Sequence, residues 1–209
     1  GGLNIDCRMV ALDVSKNRLN TLLELLRDSP DFIGGAIAVP YKEDVCSWLG
    51  SENLTQSASS VGAVNILFRC QDGRLMGGNS DALGFIGALE RENVVLRDDD
   101  SVLMIGLGGA GKAVLSGLRA KIKTGRIYVT NRTARDELRF WIEGSECVTW
   151  IPWSERHNVL RAVKTVINCT ILGGALRPFE SPIDWSQIDH LTPGLVAFDV
   201  NYDPAVSQF

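Results

Sequence analysis

The stretch Val102-Leu103-Met104-Ile105-Gly106-Leu107-Gly108-Gly109-Ala110-Gly111 restricts the fold of this 209-residue chain more than any other segment. Four consecutive apolar residues suit a strand buried on both faces, and the glycines that follow match G-x-G-x-x-G. Gly106 permits a tight turn, Gly108 lets the backbone approach a pyrophosphate, and Gly111 lets the next helix pack close to the strand. A lone match to this pattern is weak, because glycine-rich turns are common. Here an apolar strand precedes it and an apolar helix, Ala110–Leu118, follows, and that context favours a dinucleotide cradle over an ordinary turn. The free N–H groups and positive dipole end of the helix would face the phosphates. Gly106, Gly108, Gly109, Ala110 and Gly111 are therefore the expected cofactor-binding residues.

The next strand, Arg126–Thr130, selects the cofactor. NAD-binding versions carry an acidic residue at its end that accepts hydrogen bonds from the ribose 2′-hydroxyl. This chain has Asn131-Arg132-Thr133 there, with Arg135 close behind. A carboxylate would repel a 2′-phosphate, whereas a guanidinium pairs with it through two parallel hydrogen bonds and stacks on adenine. In an isolated loop Arg132 would merely meet solvent. Its position predicts NADP, bound by Asn131, Arg132, Thr133 and Arg135.

Around this motif, short β-rich runs alternate with helical patterns, the sign of βαβ units and a mainly parallel sheet. Asp6–Leu12 reads as a strand, Ser15–Leu26 as a helix, Gly35–Val39 as a short strand stopped by Pro40, and Lys42–Leu49 as a helix. Val61–Phe68 turns at Asp72-Gly73 towards Leu75–Gly78, as a hairpin would. Asp81–Arg91 has helical spacing, and the charged stretch Arg97–Asp100 reads as a solvated turn near a boundary between lobes. Beyond it come strand Val102–Gly106, helix Ala110–Leu118, strand Arg126–Thr130, helix Ala134–Ile142, and strands Thr165–Asn168 and Leu195–Val200. The expected fold is α/β and two-lobed: an incomplete substrate domain over residues 1–92, a doubly wound dinucleotide-binding domain over 93–200, and a return towards the first lobe over 201–209.

Composition narrows the function classes. With 45% hydrophobic and 22% charged residues, the chain can bury an ordinary globular core. A net charge of −4 without a basic stripe argues against nucleic acid as a partner. No apolar run is long enough to span a bilayer. Five scattered cysteines without a C-x-x-C pair and two isolated histidines predict neither a zinc site nor a disulfide framework, but reduced thiols in a cytoplasmic protein. No metal is expected. The expected partner is a small-molecule substrate, with the choice between monomer and homodimer left open.

Several further segments occur in a set order: Val39-Pro40-Tyr41-Lys42-Glu43, Gly62-Ala63-Val64-Asn65, Gly78-Asn79-Ser80-Asp81 with Gly84-Phe85, the glycine loop, Asn131-Arg132-Thr133, Asn168-Cys169-Thr170 with Gly173, and Asp199 with Tyr202 and Pro204. Together they resemble shikimate dehydrogenases and their shikimate dehydrogenase-like relatives over nearly the whole chain. Glutamyl-tRNA reductase and methylenetetrahydrofolate dehydrogenase look similar in the cofactor domain only. The resemblance implies that Lys42 and Asp81 form the catalytic pair, facing a substrate hydroxyl across the cleft between lobes. It makes Asn65 a ligand of substrate hydroxyls, puts Thr170 and Gly173 beside the cofactor, and sets Val200 and Tyr202 at the border of nicotinamide and substrate. Alcohol oxidation needs a group that removes a proton as hydride leaves, and ketone reduction needs the same group to return it. A lysine does this when burial lowers its pKa, while a neighbouring Asp81 would pull the other way. Without the resemblance, Lys42 reads as a surface lysine at a helix start, Asp81 as a helix N-cap, Asn65 as a polar residue in a hairpin strand and Tyr202 as a packed aromatic.

The chain also departs from the family pattern. Asn-Val-Thr before the Pro-x-Lys is Ala36-Ile37-Ala38 here, and the loss of one hydroxyl costs about 0.5–1.5 kcal/mol of binding to a polyol. Ser80 stands where threonine is common, and Ile66 follows Asn65 in place of threonine. The resemblance implies that the family's Ser-x-Ser segment would precede Gly1 and its Met-x-x-x-Gln segment would follow Phe209, as in a fragment or a truncated relative. The expected activity is NADP-dependent interconversion of shikimate and 3-dehydroshikimate, in aromatic amino-acid biosynthesis. The alternatives are a quinate or aminoshikimate dehydrogenase and a catalytically inactive NADP-binding regulatory protein.

Overall fold

The computed structural model describes residues 6–133, 141–142, 144–188, 190–201 and 207–209. The chain divides into two compact units, residues 1–80 and 81–209.

In the first unit, α1 (Leu19–Asp28) and α2 (Lys42–Leu49) turn Leu19, Leu23, Val45 and Leu49 into one core. Ala58 of α3 (Gln56–Val61) and Val64, Leu67 and Leu75 complete it. The sheet is antiparallel, in the order β1 (Gly34–Ala36), β2 (Ile66–Arg69), β3 (Leu75–Gly78). Asp72 and Gly73 make the expected hairpin turn: Gly73 takes φ +85°, and Asp72 accepts from the Arg74 N–H at 3.0 Å.

Two differences stand out from the sequence reading. Residues 6–15 form no strand, and Met9 and Val10 are 91% and 66% exposed. A short, mostly apolar run becomes a strand only against a partner ladder, and among the described residues β1 pairs with β2 alone. The hairpin strand expected from Val61 starts later, at Ile66. Thr55 caps α3 by accepting from the Ala58 N–H at 3.3 Å, which draws Val61 into a helix that Gly62 ends in the left-handed conformation.

In the second unit, five parallel strands run in the order β6 (Val148–Trp150), β5 (Ile127–Thr130), β4 (Val102–Ile105), β7 (Thr165–Asn168), β8 (Val196–Asp199). All four residues of β4 are buried, as a central parallel strand covered on both faces must be. Val102 and Met104 face a layer containing Phe85 and Leu89 of α4 (Asp81–Arg91) and Val114, Leu115 and Leu118 of α5 (Gly109–Lys121). Leu103 and Ile105 face Leu160, Val163 and Ile183 on the other side. Because α4 packs on α5, it belongs with this unit, and the division falls after Ser80 and not at the charged turn.

The turn itself is only partly solvated. Asp100 is buried, accepting from the Arg97 N–H at 2.8 Å and from the Lys164 ammonium at 2.9 Å. β6 went unread because its three residues make too short a run to tell from a loop. The helix expected over Ala134–Ile142 lies largely outside the described residues.

Candidate functional site

The strand order reverses direction between β4 and β7, since β5 and β6 lie on one side of β4 and β7 and β8 on the other. A doubly wound sheet binds ligands outside the carboxyl ends of its strands at such a switch point, and the glycine loop begins there. Gly106 turns at φ +98°, and its N–H donates to the Thr130 carbonyl at 2.8 Å. A Cβ on Gly111 would come within 2.2 Å of the Gly106 carbonyl oxygen, so only glycine lets α5 start this close to β4. Gly108 is the opposite case. It is exposed, has ordinary extended angles (φ −84°, ψ −167°), and a Cβ there would meet nothing within 4 Å. The fold leaves open the space that Gly108 borders. The first helical bond runs from the Lys112 N–H to the Gly108 carbonyl at 2.8 Å, so the N–H groups of Gly109, Ala110 and Gly111 have no acceptor within the helix. This cradle has the shape and donor set for a pyrophosphate.

At the end of β5 the three expected residues divide their work. The Asn131 carboxamide turns inward: its Oδ1 accepts from the Leu107 N–H at 3.3 Å, and its Nδ2 donates to the Thr133 carbonyl at 2.8 Å. It thereby ties the β5 loop to the glycine loop. Arg132 and Thr133 are exposed and can reach a ligand. Arg135 and Tyr202 lie outside the described residues.

The carboxyl ends of β7 and β8 hold a polar cluster in which only Thr170 had an expected role, beside the cofactor. Asn168 is fully buried. Its Oδ1 accepts from the Thr170 N–H at 2.9 Å and from the Thr170 hydroxyl at 2.7 Å, while its Nδ2 donates to the Leu172 carbonyl at 2.8 Å and to Asp199 Oδ1 at 3.1 Å. Asp199 Oδ1 also accepts from the Asn201 N–H at 3.0 Å and Nδ2 at 2.9 Å, and its Oδ2 accepts from the Ser207 hydroxyl at 2.6 Å. The usable signal was an asparagine closing the otherwise buried strand Thr165–Asn168, since a buried amide must have partners. Burial, and secondarily the Asp199 carboxylate, push the Cys169 thiol far above its ordinary range, so it stays neutral. Val200 donates its N–H to the Asn168 carbonyl at 3.0 Å and packs against the α4–α5 layer.

In the first unit, Lys42 is the first residue of α2, half-buried, and its carbonyl accepts from the Val64 N–H at 2.9 Å. Asn65, just before β2, exchanges two bonds with Ser80: its Nδ2 donates to the hydroxyl at 3.2 Å, and its Oδ1 accepts from the N–H at 3.0 Å. Buried Asn79 donates to the Ala63 carbonyl at 2.9 Å. These amides fix the segment leading to residue 80. Ala38 is exposed. In the second unit, Asp81 is half-buried and opens α4.

Among the described residues, no group of three or more His, Cys, Asp or Glu side chains could hold a metal ion, and no helix is long and apolar enough to cross a membrane.

The chain is similar to known proteins over most of its length. Residues 2–67 match the model of the shikimate dehydrogenase substrate binding domain. The shikimate dehydrogenase (NADP(+)) of Nitrosopumilus maritimus is 29% identical over 210 residues, spanning 99% of this chain and 73% of that protein. The protein of the same name from Synechocystis is 31% identical over 184 residues, spanning 84% of this chain and 61% of that protein. The crystal structure of shikimate 5-dehydrogenase from Thermus thermophilus in complex with NADP(H) and shikimate superposes with a TM-score of 0.73 at 29% identity, covering 92% of this chain and 66% of that one. The chain thus spans about three fifths to three quarters of the length of these relatives.

Proposed function

We propose that the chain, which is similar over most of its length to shikimate dehydrogenases, interconverts shikimate and 3-dehydroshikimate, or a closely related cyclic hydroxy acid, with NADP as the hydride carrier. The observation that carries this reading is the contrast within the glycine loop: Gly111 is closed by the fold and Gly108 is left open, with exposed Arg132 at the end of the next strand. A nicotinamide held there would supply the hydride acceptor for the carbinol carbon and, reduced, the hydride donor for the ketone. The N–H groups of Gly109, Ala110 and Gly111 bind the pyrophosphate. Arg132, held by the Asn131 bridge and followed by Thr133 and Arg135, pairs with the 2′-phosphate. Thr170 and Val200, at the ends of β7 and β8, border the nicotinamide half.

Lys42 and Asp81 are the proton-handling pair of this proposal. Lys42 takes the hydroxyl proton as hydride leaves and returns it in the reverse direction, and Asp81 anchors the hydroxyl. Asn65 and Tyr202 contact the ring hydroxyls. The test is NADPH oxidation with 3-dehydroshikimate, followed by absorbance in the intact gene product. Absence of turnover would overturn the enzymatic reading. Lys42→Ala should lower kcat by about 10²-fold or more, the usual contribution of a positioned acid–base group, and leave NADPH affinity unchanged.

Ala36 and Ala38 favour one second reading, in which the substrate is altered or the nucleotide site serves regulation. Turnover of quinate or aminoshikimate in preference to shikimate identifies the first case. Tight NADPH binding without turnover of any of the three identifies the second.

A further inference from the structure

The polar cluster at the ends of β7 and β8 lies against the glycine loop. A Cβ on Gly106 would meet Thr170 Cγ2 at 2.8 Å and the Cys169 carbonyl carbon at 3.0 Å, so the loop after β7 forms one wall of the turn that opens the cradle. The Cys169 N–H donates to the Ile105 carbonyl at 2.7 Å, which fixes the start of that loop to β4. Beyond Cys169 it has no sheet partner among the described residues; the Gly173 N–H donates to the Arg177 carbonyl at 2.9 Å and the Gly174 N–H to the Ile171 carbonyl at 3.2 Å, and side chains supply the remaining ties. Asn168 clamps Thr170 and Leu172 from below. Asn201 Nδ2 donates to the Thr170 carbonyl at 3.0 Å and the Leu172 carbonyl at 3.3 Å. The Leu172 N–H donates to the Thr170 hydroxyl at 3.1 Å, and Gly173 turns at φ +87° beside Asp199. Asp199 receives both amides and the Ser207 hydroxyl, and all these donors are uncharged.

We propose that Asn168, Asp199 and Asn201 form a positioning set that holds the Thr170–Gly174 loop in the shape that receives the nicotinamide half of the cofactor. The inference rests on the NADP reading given above. Topology assigns the half. The 2′-phosphate end is at Arg132, after β5, on one side of the switch point, so the dinucleotide extends over β7 and β8 on the other side. None of the three residues is required to touch the reacting atoms. They act through the backbone of residues 170–174. Asp199 takes four hydrogen bonds there, three on Oδ1 from the two asparagines and one on Oδ2 from Ser207.

The test separates the two halves of the cofactor by comparing NADPH with 2′,5′-ADP, which carries the adenosine and the 2′-phosphate but no nicotinamide. Asn168→Leu keeps the volume and removes both donor and acceptor. It should weaken NADPH about tenfold, the effect of leaving buried partners unpaired, while changing 2′,5′-ADP binding by less than about twofold. Asp199→Asn should stay within about threefold for both ligands, since its Oδ1 still accepts from the two asparagines and the Ser207 hydroxyl can turn to accept. Asp199→Ala should behave like Asn168→Leu. If Asn168→Leu does not fold, Thr170→Val removes only the hydroxyl and should show the same selectivity at smaller amplitude. Equal weakening of both ligands, or weakening of neither, overturns the positioning role. Failure of the unsubstituted chain to bind either ligand overturns the NADP reading instead.

Discussion

Gly111→Ala and Gly108→Ala add the same methyl group three residues apart, and the structure predicts opposite consequences. At Gly111 the new Cβ would lie 2.2 Å from the Gly106 carbonyl oxygen, well inside ordinary contact, and the obstacle is backbone. Relief requires the start of α5 to move away from β4, whose Val102 and Met104 pack in the same core as Val114 and Leu118 of α5. Overpacking of this kind costs about 1–3 kcal/mol, and more where backbone must shift. Alanine returns up to about 1 kcal/mol through its helix propensity. The net loss is about 2 kcal/mol, which lowers the thermal midpoint of a unit this size by roughly 5–10 °C. At Gly108 the Cβ meets nothing, the backbone angles suit alanine, and the exchange costs less than about 1 kcal/mol for a poorer helix cap. The same methyl would occupy the space read as the pyrophosphate site. Gly108→Ala should therefore melt within a few degrees of the unsubstituted chain and bind NADPH at least about tenfold more weakly, one methyl in a filled site being worth about 1–3 kcal/mol. Calorimetry without ligand and NADPH titration check both. A Gly111→Ala protein with an unchanged midpoint, or a Gly108→Ala protein with unchanged affinity, would refute the division of labour within the loop.

Three further outcomes follow from other parts of the molecule. Arg132→Ala should raise the Kd for NADPH with little effect on NADH, narrowing the preference between them by about tenfold or more, as titration of each will show. Arg69 donates to the carbonyls of Phe32, Gly73, Leu26, Arg27 and Ser29, joining the end of α1 to the hairpin. Arg69→Lys cannot reproduce that fork and should lower stability in urea by about 2–3 kcal/mol. Burial alone would raise the Asp100 carboxyl, but the Lys164 ammonium and the Arg97 N–H outweigh it and hold its pKa below the ordinary value. A carboxyl depressed on folding contributes stability that is full above its unfolded pKa of about 4 and is lost as pH falls through the lower folded value. Asp100→Asn should therefore lower the midpoint at neutral pH and reduce the fall in midpoint below about pH 4.

The elements legible in the sequence were those whose local signals agree with their packing. Lys42–Leu49, Asp81–Arg91, Leu75–Gly78 and Thr165–Asn168 have the bounds that periodicity predicts. Where a partner decides the outcome, local pattern misled: Asp6–Leu12 is mostly apolar like a strand but has no ladder among the described residues, and α3 exists because Thr55 caps it. The turn and the helix start of the glycine loop were legible because Gly106 and Gly111 answer steric demands that the motif encodes. Gly106 and Gly111 sit in close contacts, and Gly108 borders open space.

The site asparagines show why residue type alone stopped short. Asn131 and Asn65 read as ligand-binding amides, and each has both ends of its carboxamide engaged by the protein, Asn131 with Leu107 and Thr133 and Asn65 with Ser80. Asn168, given no role in the sequence reading, does the same more completely at the end of β7. An asparagine offers donor and acceptor on one short, stiff side chain, so it can bridge two loops that share no ladder. The ends of parallel strands are where such loops lie side by side, and where backbone groups lack sheet partners. Cofactor selectivity then falls to the neighbour that a bridge leaves outward. At Asn131 that neighbour is Arg132, whose exposed guanidinium is proposed to make the loop selective while the half-buried Asn131 amide ties it to the glycine loop. Asn131→Ala should accordingly weaken NADPH and NADH alike by loosening the glycine loop, in contrast to Arg132→Ala. A loss confined to NADPH would place Asn131 directly on the 2′-phosphate and refute its bridging role.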